Sequence, residues 1–299
     1  MPIPETQLEA WAHQGSTATA SHVYHAISNA LKNPMSPLSG RDFEVYLQGS
    51  YRNDTNILPD SDVDVVIQLN ETFEFDISQL ATQQQYSFRQ NTYPVQYSFP
   101  YFKRDVISAL IATFGTRAVR QGNKSIKVTV PNSNVPCDVV PCLQFRWYVS
   151  PQHYYLAPQG YVAGIVLYSS DGQTKAVSYP KIHYDNGVVK NNRTNGRFKP
   201  TVRLLKGARN YLTEINHLPP NIAPSHCIEC MAYNAPDQAF TWSFQETFYH
   251  LMDWAHKVDL GNLTTQDSRS CLIGESSEQW SKQAASQFIK AMVTLWNSW

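Results

Sequence analysis

Gly49-Ser50, eleven further residues and then Asp62-Val63-Asp64-Val65-Val66-Ile67 form the stretch of this sequence that decides the fold. The apolar run that ends this stretch predicts a strand, in which side chains at positions i and i+2 project from the same face. The two aspartates are therefore expected to project together, whereas the valine that follows each of them faces the core. Neighbouring carboxylates repel each other unless a cation lies between them, so the pair favours a divalent metal ion.

The acidic run Asp60-Ser61-Asp62-Val63-Asp64 offers two i, i+2 pairs. Asp60 follows Pro59 among turn-forming residues, while hydrophobic residues follow Asp64, so we choose Asp62 and Asp64 and assign Asp60 to the loop. An Asp-x-Asp pair alone is most often a solvated acidic turn. The Gly-Ser turn ahead of it offers backbone N–H groups and a hydroxyl to a nucleoside triphosphate, and this combination favours catalysis.

Composition limits the classes of protein to consider. The chain of 299 residues can bury a substantial core, and a hydrophobic content of 42% is that of an ordinary globular protein. Lys and Arg number 24, as do Asp and Glu. A protein of long nucleic acids usually carries a basic excess, so no such partner is expected. Five cysteines, no signal-peptide pattern and no membrane-length apolar run predict a cytoplasmic protein without a membrane partner.

Periodicity predicts the order of the secondary-structure elements. The first half is expected to hold a helix over 5–32, a strand over Phe43–Leu47, a loop or exposed insertion over 73–100 and a helix over Phe102–Phe114. Strands follow at 125–130 and 135–143 as a hairpin, and at 161–168 and 174–180 around an Asp171-Gly172 turn. A linker over Asn186–Asn195 precedes helices at 200–216, 224–234, 241–258 and 278–297. This order predicts an α+β fold, with a mixed-sheet palm before a helical lobe.

A third carboxylate is needed to complete a two-metal site. Asp138 is the choice, because it lies in the apolar strand Cys137-Asp138-Val139-Val140, where burial of an unpaired carboxylate is costly. A salt bridge or an edge-strand position would also explain an aspartate there. Asp76 and Asp105 are rivals, although their surroundings resemble a loop and the start of a helix.

Gln48-Gly49-Ser50-Tyr51-Arg52-Asn53-Asp54-Thr55, with the Asp-x-Asp pair, resembles the nucleotidyltransferase superfamily. More narrowly, it is similar to the bacterial CD-NTases, which are cyclic-oligonucleotide synthases related to cGAS and DncV in anti-phage (CBASS) signalling. The resemblance extends from the Gly-Ser turn through the C-terminal helices. It implies a polymerase beta-like palm with an N-terminal helix over 1–195, and a helical domain like that of oligoadenylate synthases over 196–299.

The resemblance also implies the site. Two Mg²⁺ ions, with Mn²⁺ as a substitute, would clamp the attacking and leaving oxygens while a ribose hydroxyl attacks the α-phosphorus and pyrophosphate leaves. The family has its third carboxylate on a later strand, which Asp138 matches, and the next layer is a lysine on a helix and a helix-start serine. The expected metal ligands and catalytic residues are Asp62, Asp64 and Asp138, and the expected nucleotide contacts are Gln48, Gly49, Ser50, Lys206, Ser225 and His226. His226 stands where the family often has a base-stacking tyrosine, and Arg203 lies on the same predicted helix as Lys206.

The expected activity is synthesis of a cyclic dinucleotide, or a cyclic trinucleotide, from NTPs that include ATP. Its product would be a second messenger read by a separate effector, and a regulatory protein partner is compatible with this role. One alternative is a transferase that adds a nucleotide to a protein, a small molecule such as an antibiotic, or an RNA end. Another is a catalytically inactive ligand sensor or scaffold, which three intact acidic positions argue against.

Cys227-x-x-Cys230 is a further pattern that chemistry can use. One such pair can indicate zinc or redox chemistry. No second cysteine pair with suitable spacing follows, and the sequence shows no histidine cluster beside it. We therefore expect two buried helix cysteines.

Overall fold

The computed structural model describes residues 2–57, 62–93, 95–133, 135–150, 159–169 and 175–299. Asp60 and the turn expected at Asp171-Gly172 lie outside these ranges. The chain forms two compact units that alternate along the sequence. A helical unit contains Met1–Ser16, Gly49–Ser61 and Lys181–Trp299, and a sheet unit contains Thr17–Gln48 and Asp62–Pro180.

Helices and strands alternate through the first part of the described chain, and helices dominate the second. The helices are α1 (Glu5–Ala12), α2 (Ala18–Leu31), α3 (Gly49–Asn53), α4 (Thr82–Gln90), α5 (Phe99–Phe114), α6 (Pro180–Arg193), α7 (Phe198–Glu214), α8 (Ser225–Asn234), α9 (Phe244–Lys257) and α10 (Lys282–Ser298). The strands are β1 (Phe43–Gln48), β2 (Val63–Asp76), β3 (Val119–Gln121), β4 (Ile126–Val128), β5 (Cys137–Tyr148), β6 (Tyr161–Tyr168) and β7 (Lys175–Ser178). Within the described residues, no helix combines the length and apolarity needed to cross a bilayer.

The sheet unit is built on a mixed sheet, as the sequence predicts. Its strand order is β1-β2-β5-β4-β3, and β6 pairs with β5 and with β7. β2 pairs antiparallel with β1 and parallel with β5. Val65, Val66 and Ile67 of β2 are fully buried, because a central strand with both faces covered excludes water from successive residues.

The two strand pairs expected from alternation are confirmed. β4 pairs antiparallel with β5, and β6 pairs antiparallel with β7. The loop expected over 73–100 is wrong in part, since β2 continues to Asp76 and α4 and the start of α5 follow. The glutamine-rich sequence of α4 is compatible with a helix, and the Phe88 ring contacts the rings of Phe75 and Tyr148 at centroid distances of 4.7 and 4.9 Å.

The single N-terminal helix expected over 5–32 is two helices, α1 and α2. They belong to different units. The chain leaves the helical conformation near Gly15, whose N–H donates to the carbonyl of Asn56 at 3.2 Å. A tertiary hydrogen bond thus replaces the intrahelical one that periodicity alone would predict.

The helical unit buries an apolar core on α7, α8, α9 and α10, and these four helices confirm the four expected from the sequence. The linker expected over Asn186–Asn195 is wrong, because α6 continues through it to Arg193. Its polar residues make tertiary contacts. The buried Lys190 ammonium donates to Asp237 Oδ1 at 2.6 Å, and Arg193 pairs with the same carboxylate.

Gly207 on α7 allows α1 to pack closely. A Cβ atom at this position would lie 2.7 Å from Trp11 Cβ and 2.8 Å from Trp11 Cγ. Those atoms are close to the backbone of α1, so they cannot move away without moving the helix. Only a residue without a side chain fits this contact.

Gly207→Ala is therefore expected to lower the free energy of unfolding by roughly 1–3 kcal/mol in urea denaturation. In an ordinary helix the same change would raise it by about 1 kcal/mol. Gly261→Ala is the control, because its Cβ would meet its nearest neighbour, Asp259 Oδ1, at an ordinary 3.4 Å. A Gly207→Ala protein more stable than the wild type would contradict this account of the packing.

Candidate active site

Four polar residues form one row across the sheet unit. Gln48 is the register partner of Asp64, which pairs in turn with Asp138, and Asp138 pairs with Lys127. The row crosses β1, β2, β5 and β4. Register partners on adjacent strands project from the same face of a sheet, so the carboxylates of Asp64 and Asp138 are neighbours.

Asp62 precedes β2 by one residue, and its side chain is exposed. Val63 and Val65 are fully buried, while Asp64 is half-buried. The alternation expected from the sequence therefore holds at the start of β2. It places Asp62 and Asp64 on the side opposite to the two valines, which is the arrangement that a shared cation requires.

The electrostatics of the row follow from this crowding. Burial, with the charges of Asp138 and Asp62, raises the pKa of Asp64 from 3.8 to about 7. The ammonium of Lys127 opposes this effect. It lies 3.1 Å from Asp138 Oδ1, and its pKa is raised by that hydrogen bond and by the three carboxylates.

Lys127 is a site residue that sequence reasoning does not identify. Its signal in the sequence is only a lysine between Ile126 and Val128 in an alternating strand. The side chain is 60% exposed, so water screens its pair with Asp138 and the ammonium is able to move aside. Lys127 is thus a replaceable positive charge beside the carboxylates.

The two rival carboxylates have other partners. Asp105 on α5 is buried and accepts hydrogen bonds from Tyr97 Oη at 2.7 Å and from Arg104 Nε at 3.0 Å. Asp76 Oδ1 accepts from the backbone N–H of Ser78 at 2.7 Å, at the end of β2. Among the three candidates, Asp138 is the one that pairs in register with Asp64.

The Gly-Ser turn follows β1 directly. Gly49 has φ +69°, a left-handed conformation that glycine adopts without steric cost, and Ser50 lies in the short helix α3. The N–H of Thr55 donates to the carbonyl of Ser50 at 2.9 Å and closes the segment after this helix. A glycine is therefore required where the chain turns sharply from strand to helix.

The segment after α3 is held by a buried carboxylate of the helical unit. Glu229 on α8 accepts from Asn53 Nδ2 at 3.0 Å and from Thr55 Oγ1 at 3.1 Å. Burial pushes the pKa of Glu229 up, but hydrogen bonding to His183 and the charge of Lys206 outweigh burial and hold the pKa below its usual range. An ionised Glu229 thus fixes the two residues that end this turn.

Lys206 on α7 belongs to the same buried group. Its ammonium donates to the carbonyl and the hydroxyl of Thr55 at 3.0 and 3.1 Å, and it lies 3.8 Å from Glu229 Oε2. Burial lowers the pKa of Lys206. In this structure the lysine therefore supports the Thr55 segment, and its contact with a triphosphate stays a prediction.

Ser225 and His226 open α8. Both side chains are exposed, and Ser225 Oγ lies 3.5 Å from Arg209 Nη1. The His226 ring stacks on the ring of His183, with the centroids 5.3 Å apart. Their expected contacts with phosphate and base stay predictions, as do those of Gln48, Gly49 and Ser50.

A mixed sheet that aligns carboxylates on neighbouring strands after a Gly-Ser turn defines a nucleotidyltransferase. Two family models match the chain: a nucleotidyltransferase domain over residues 29–154, and a cGAS/DncV-like nucleotidyltransferase C-terminal helical domain over residues 185–297. The chain belongs to the cGAS/DncV-like nucleotidyltransferases. The domain boundary expected at residue 195 stays a prediction.

Individual relatives agree with this assignment over the whole chain. A cyclic UMP-AMP synthase of Rhodothermus marinus is 41% identical over 100% of this chain and 99% of its own length. The cyclic nucleotide synthase CdnE01 of Staphylococcus haemolyticus is 34% identical over 100% of both chains. The solved structure of the Rhodothermus marinus CdnE c-UMP-AMP synthase with Apcpp and Upnpp has a TM-score of 0.90, at 40% identity, and covers 100% of this chain and 98% of that one.

The predicted family, α+β fold and enzyme class are thus confirmed. Nucleotidyltransferases generally use divalent metal ions. The row on the sheet offers the oxygen ligands that such ions take. The raised pKa of Asp64 agrees with this, because a group of carboxylates without a cation resists full ionisation.

The raised pKa of Asp64 predicts how stability depends on pH. At pH values below 3.8 the folded and the unfolded chain both hold this proton. Between pH 3.8 and about 7 only the folded chain holds it, so the contribution of Asp64 to stability falls as pH rises. Asp64→Asn removes this loss, and in EDTA at pH 8 the variant should be more stable by on the order of 2 kcal/mol.

Urea denaturation at pH 4 and pH 8 measures this difference. At pH 4 the variant and the wild type should unfold at nearly the same urea concentration. Asp185→Asn, which changes an exposed aspartate on α6, should alter stability by less than about 0.5 kcal/mol at both pH values. Equal stability of Asp64→Asn and the wild type at pH 8 would show that Asp64 is not electrostatically strained.

Proposed function

We propose that this protein is a metal-dependent synthase that joins two NTPs into a cyclic dinucleotide and releases pyrophosphate. The observation that carries the proposal is the register of Asp64 with Asp138 on parallel strands, with Asp62 two residues ahead of Asp64. The chain that holds this arrangement is 41% identical over its full length to a cyclic UMP-AMP synthase. The arrangement of the three aspartates supports nucleotidyl transfer, and the sequence similarity to a cyclic UMP-AMP synthase supports a cyclic product.

The proposed metal is Mg²⁺, bound as two ions, with Mn²⁺ as a substitute. Asp62 and Asp64 would bind both ions. Asp138 would complete the coordination of one of them, and the bound metal would lower the pKa of the attacking hydroxyl. Magnesium is held in proteins by a few carboxylates together with substrate phosphates, which fits this ligand set.

Lys127 offsets part of the negative charge of the site in the absence of metal. Its ammonium neutralises part of the carboxylate charge at Asp138, and its exposed side chain can leave without breaking the sheet. Mg²⁺ carries twice that charge and binds several oxygens at once. A bound divalent ion would therefore favour the ionised form of Asp64.

The proposed nucleotide contacts keep the roles that the family resemblance implies. Gly49 and Ser50 hold the triphosphate, with Gln48, Lys206 and Ser225 as further phosphate contacts, and His226 stacks on a base. Lys206 also has a structural role in this assignment, because its ammonium already bonds Thr55. A phosphate contact of Lys206 would share the ammonium with the segment that follows Ser50.

ATP and UTP are the first substrates to test, because they correspond to the product named for the Rhodothermus marinus relative. More distant relatives are named as a cyclic dipyrimidine synthase in Legionella pneumophila, at 31% identity, and a cyclic dipurine synthase in Elizabethkingia meningoseptica, at 32%. Related synthases are therefore named for cyclic dinucleotides with different combinations of bases. In the proposed context the protein works in the cytoplasm, and its product is a second messenger that activates a separate effector in anti-phage defence.

The activity test uses the purified protein with all four NTPs, each α-³²P-labelled in turn, and Mg²⁺. A phosphatase-resistant labelled product with the mass of a cyclic dinucleotide is expected, together with pyrophosphate. Asp62→Asn with Asp64→Asn, and Asp138→Asn alone, should each reduce pyrophosphate release by about 10³-fold or more, because each removes ligands of the catalytic ions. Asp253→Asn, a surface change on α9, is the matched control and should leave the rate unchanged.

The outcomes separate the proposal from its alternatives. Label transferred to a protein, a small-molecule acceptor or an RNA end, without a cyclic product, would assign a non-cyclising nucleotidyltransferase. A phosphatase-resistant product with the mass of a trinucleotide would correct the ring size. Full pyrophosphate release by the folded double variant would show that the catalytic residues lie elsewhere.

A further inference from the structure

Three side chains with soft or borderline ligand atoms meet in the helical unit. His183 lies on α6, and His226 and Cys230 lie on α8. Each offers one nitrogen or sulfur atom, and these atoms all lie within 4.8 Å of one another. Cys227 and Cys230 are both buried on their helix, as expected. The fold adds, from another helix, a histidine that the sequence does not show beside this pair.

The distance between two of these atoms is that of a metal site. With Zn–N near 2.0 Å and Zn–S near 2.3 Å, a tetrahedral angle separates nitrogen and sulfur by about 3.5 Å. His226 Nε2 lies 3.5 Å from Cys230 Sγ. The two residues are four positions apart on one helix, which places them on the same face. The His183 nitrogen needs to move by at most about 1.5 Å to reach the corresponding nitrogen–nitrogen separation of about 3.3 Å.

Contacts around the three residues resemble the outer shell of a metal site. His183 Nε2 lies 3.2 Å from Glu229 Oε1, a carboxylate–histidine contact of the kind that orients metal-binding histidines. The backbone N–H of Gln266 donates to Cys230 Sγ at 3.3 Å. Such N–H donors stabilise a thiolate that binds a metal.

Gln266 supplies an independent observation. Its side chain is buried beside the cluster, with Nε2 donating to the carbonyl of His183 at 2.8 Å. Its Oε1 is buried without a hydrogen-bond partner, and in the described part of the chain no other buried side-chain nitrogen or oxygen shares this condition. A buried acceptor without a donor is costly. A water molecule bound to a metal at the cluster is a donor of the kind that Oε1 lacks.

An ion can reach the cluster from solvent. Part of His226 remains exposed to solvent, which provides a route for an ion to enter.

We propose that His183, His226 and Cys230 bind one Zn²⁺ ion, with a water molecule as the fourth ligand. Two imidazoles and a thiolate are the ligands that zinc prefers, whereas the oxygen ligands of Asp62, Asp64 and Asp138 suit magnesium. The zinc site is thus a second metal centre of different chemistry. It ties α6 to α8 next to Glu229, the carboxylate that holds Asn53 and Thr55.

The competing explanation is an ordinary packing arrangement. In that case Cys230 donates an S–H···N hydrogen bond to His226, and the two histidine rings stack without any ion. Metal content separates the two explanations, because a hydrogen bond holds no zinc through desalting. The measurement needs no nucleotide and is therefore independent of the proposed synthase activity.

The test uses untagged full-length protein, loaded with ZnSO₄, desalted without chelator and analysed by ICP-MS. The wild type should hold one zinc per chain, and Cys230→Ala should hold less than a tenth of that. Cys227→Ala is the matched control, since Cys227 is buried on the same helix outside the cluster, and it should keep its zinc. The double variant Asp62→Asn, Asp64→Asn should also keep it, which separates this site from the acidic row.

Cobalt gives a readout that does not depend on a variant folding. Co²⁺ added to the metal-free wild type should produce a thiolate-to-cobalt charge-transfer band in the near ultraviolet, and Zn²⁺ should abolish it. A wild type that retains no zinc and gives no such band would overturn the proposal. Zinc retained in full by folded Cys230→Ala would overturn it as well.

Discussion

The parallel pairing of β2 with β5 places Asp64 and Asp138 side by side. Repulsion between their carboxylates is the constraint that shapes the site. A pair of carboxylates in this position weakens the sheet unless positive charge accompanies it. Lys127 supplies one such charge from β4, and a divalent ion would supply more. The crowded acidic row is therefore a cost in the metal-free protein, and a bound divalent ion would remove that cost.

In the helical unit, by contrast, the buried carboxylate of Glu229 is surrounded by hydrogen-bond donors and a positive charge. Glu229 accepts hydrogen bonds from Asn53 and Thr55, lies beside His183, and faces the ammonium of Lys206. A buried carboxylate is tolerated only with such partners. This group fixes the segment after the Gly-Ser turn, so the turn depends on side chains from α6, α7 and α8.

The sequence is most informative where chemistry and strand periodicity coincide in one segment. The valines between and after Asp62 and Asp64 define the face of β2, and the apolar neighbours of Asp138 mark its strand, so the α+β fold and the placement of the acidic row could be predicted. Tertiary contacts could not. Lys127, Glu229 and His183 gain their significance from partners on other elements. The sequence of α6 resembles a linker because it is rich in Asn and basic residues, whose partner Asp237 lies far along the chain.

Binding of Mn²⁺ to the purified protein at pH 8, followed by the electron paramagnetic resonance signal of the free ion, tests the central claim most directly. The account predicts that Asp138→Asn weakens Mn²⁺ binding by at least about tenfold, because a ligand on β5 completes the site begun on β2. Asp105→Asn, which changes a rival carboxylate on α5, should bind Mn²⁺ as the wild type does. An Asp138→Asn protein with the full affinity of the wild type would contradict the claim that these strands share a metal site.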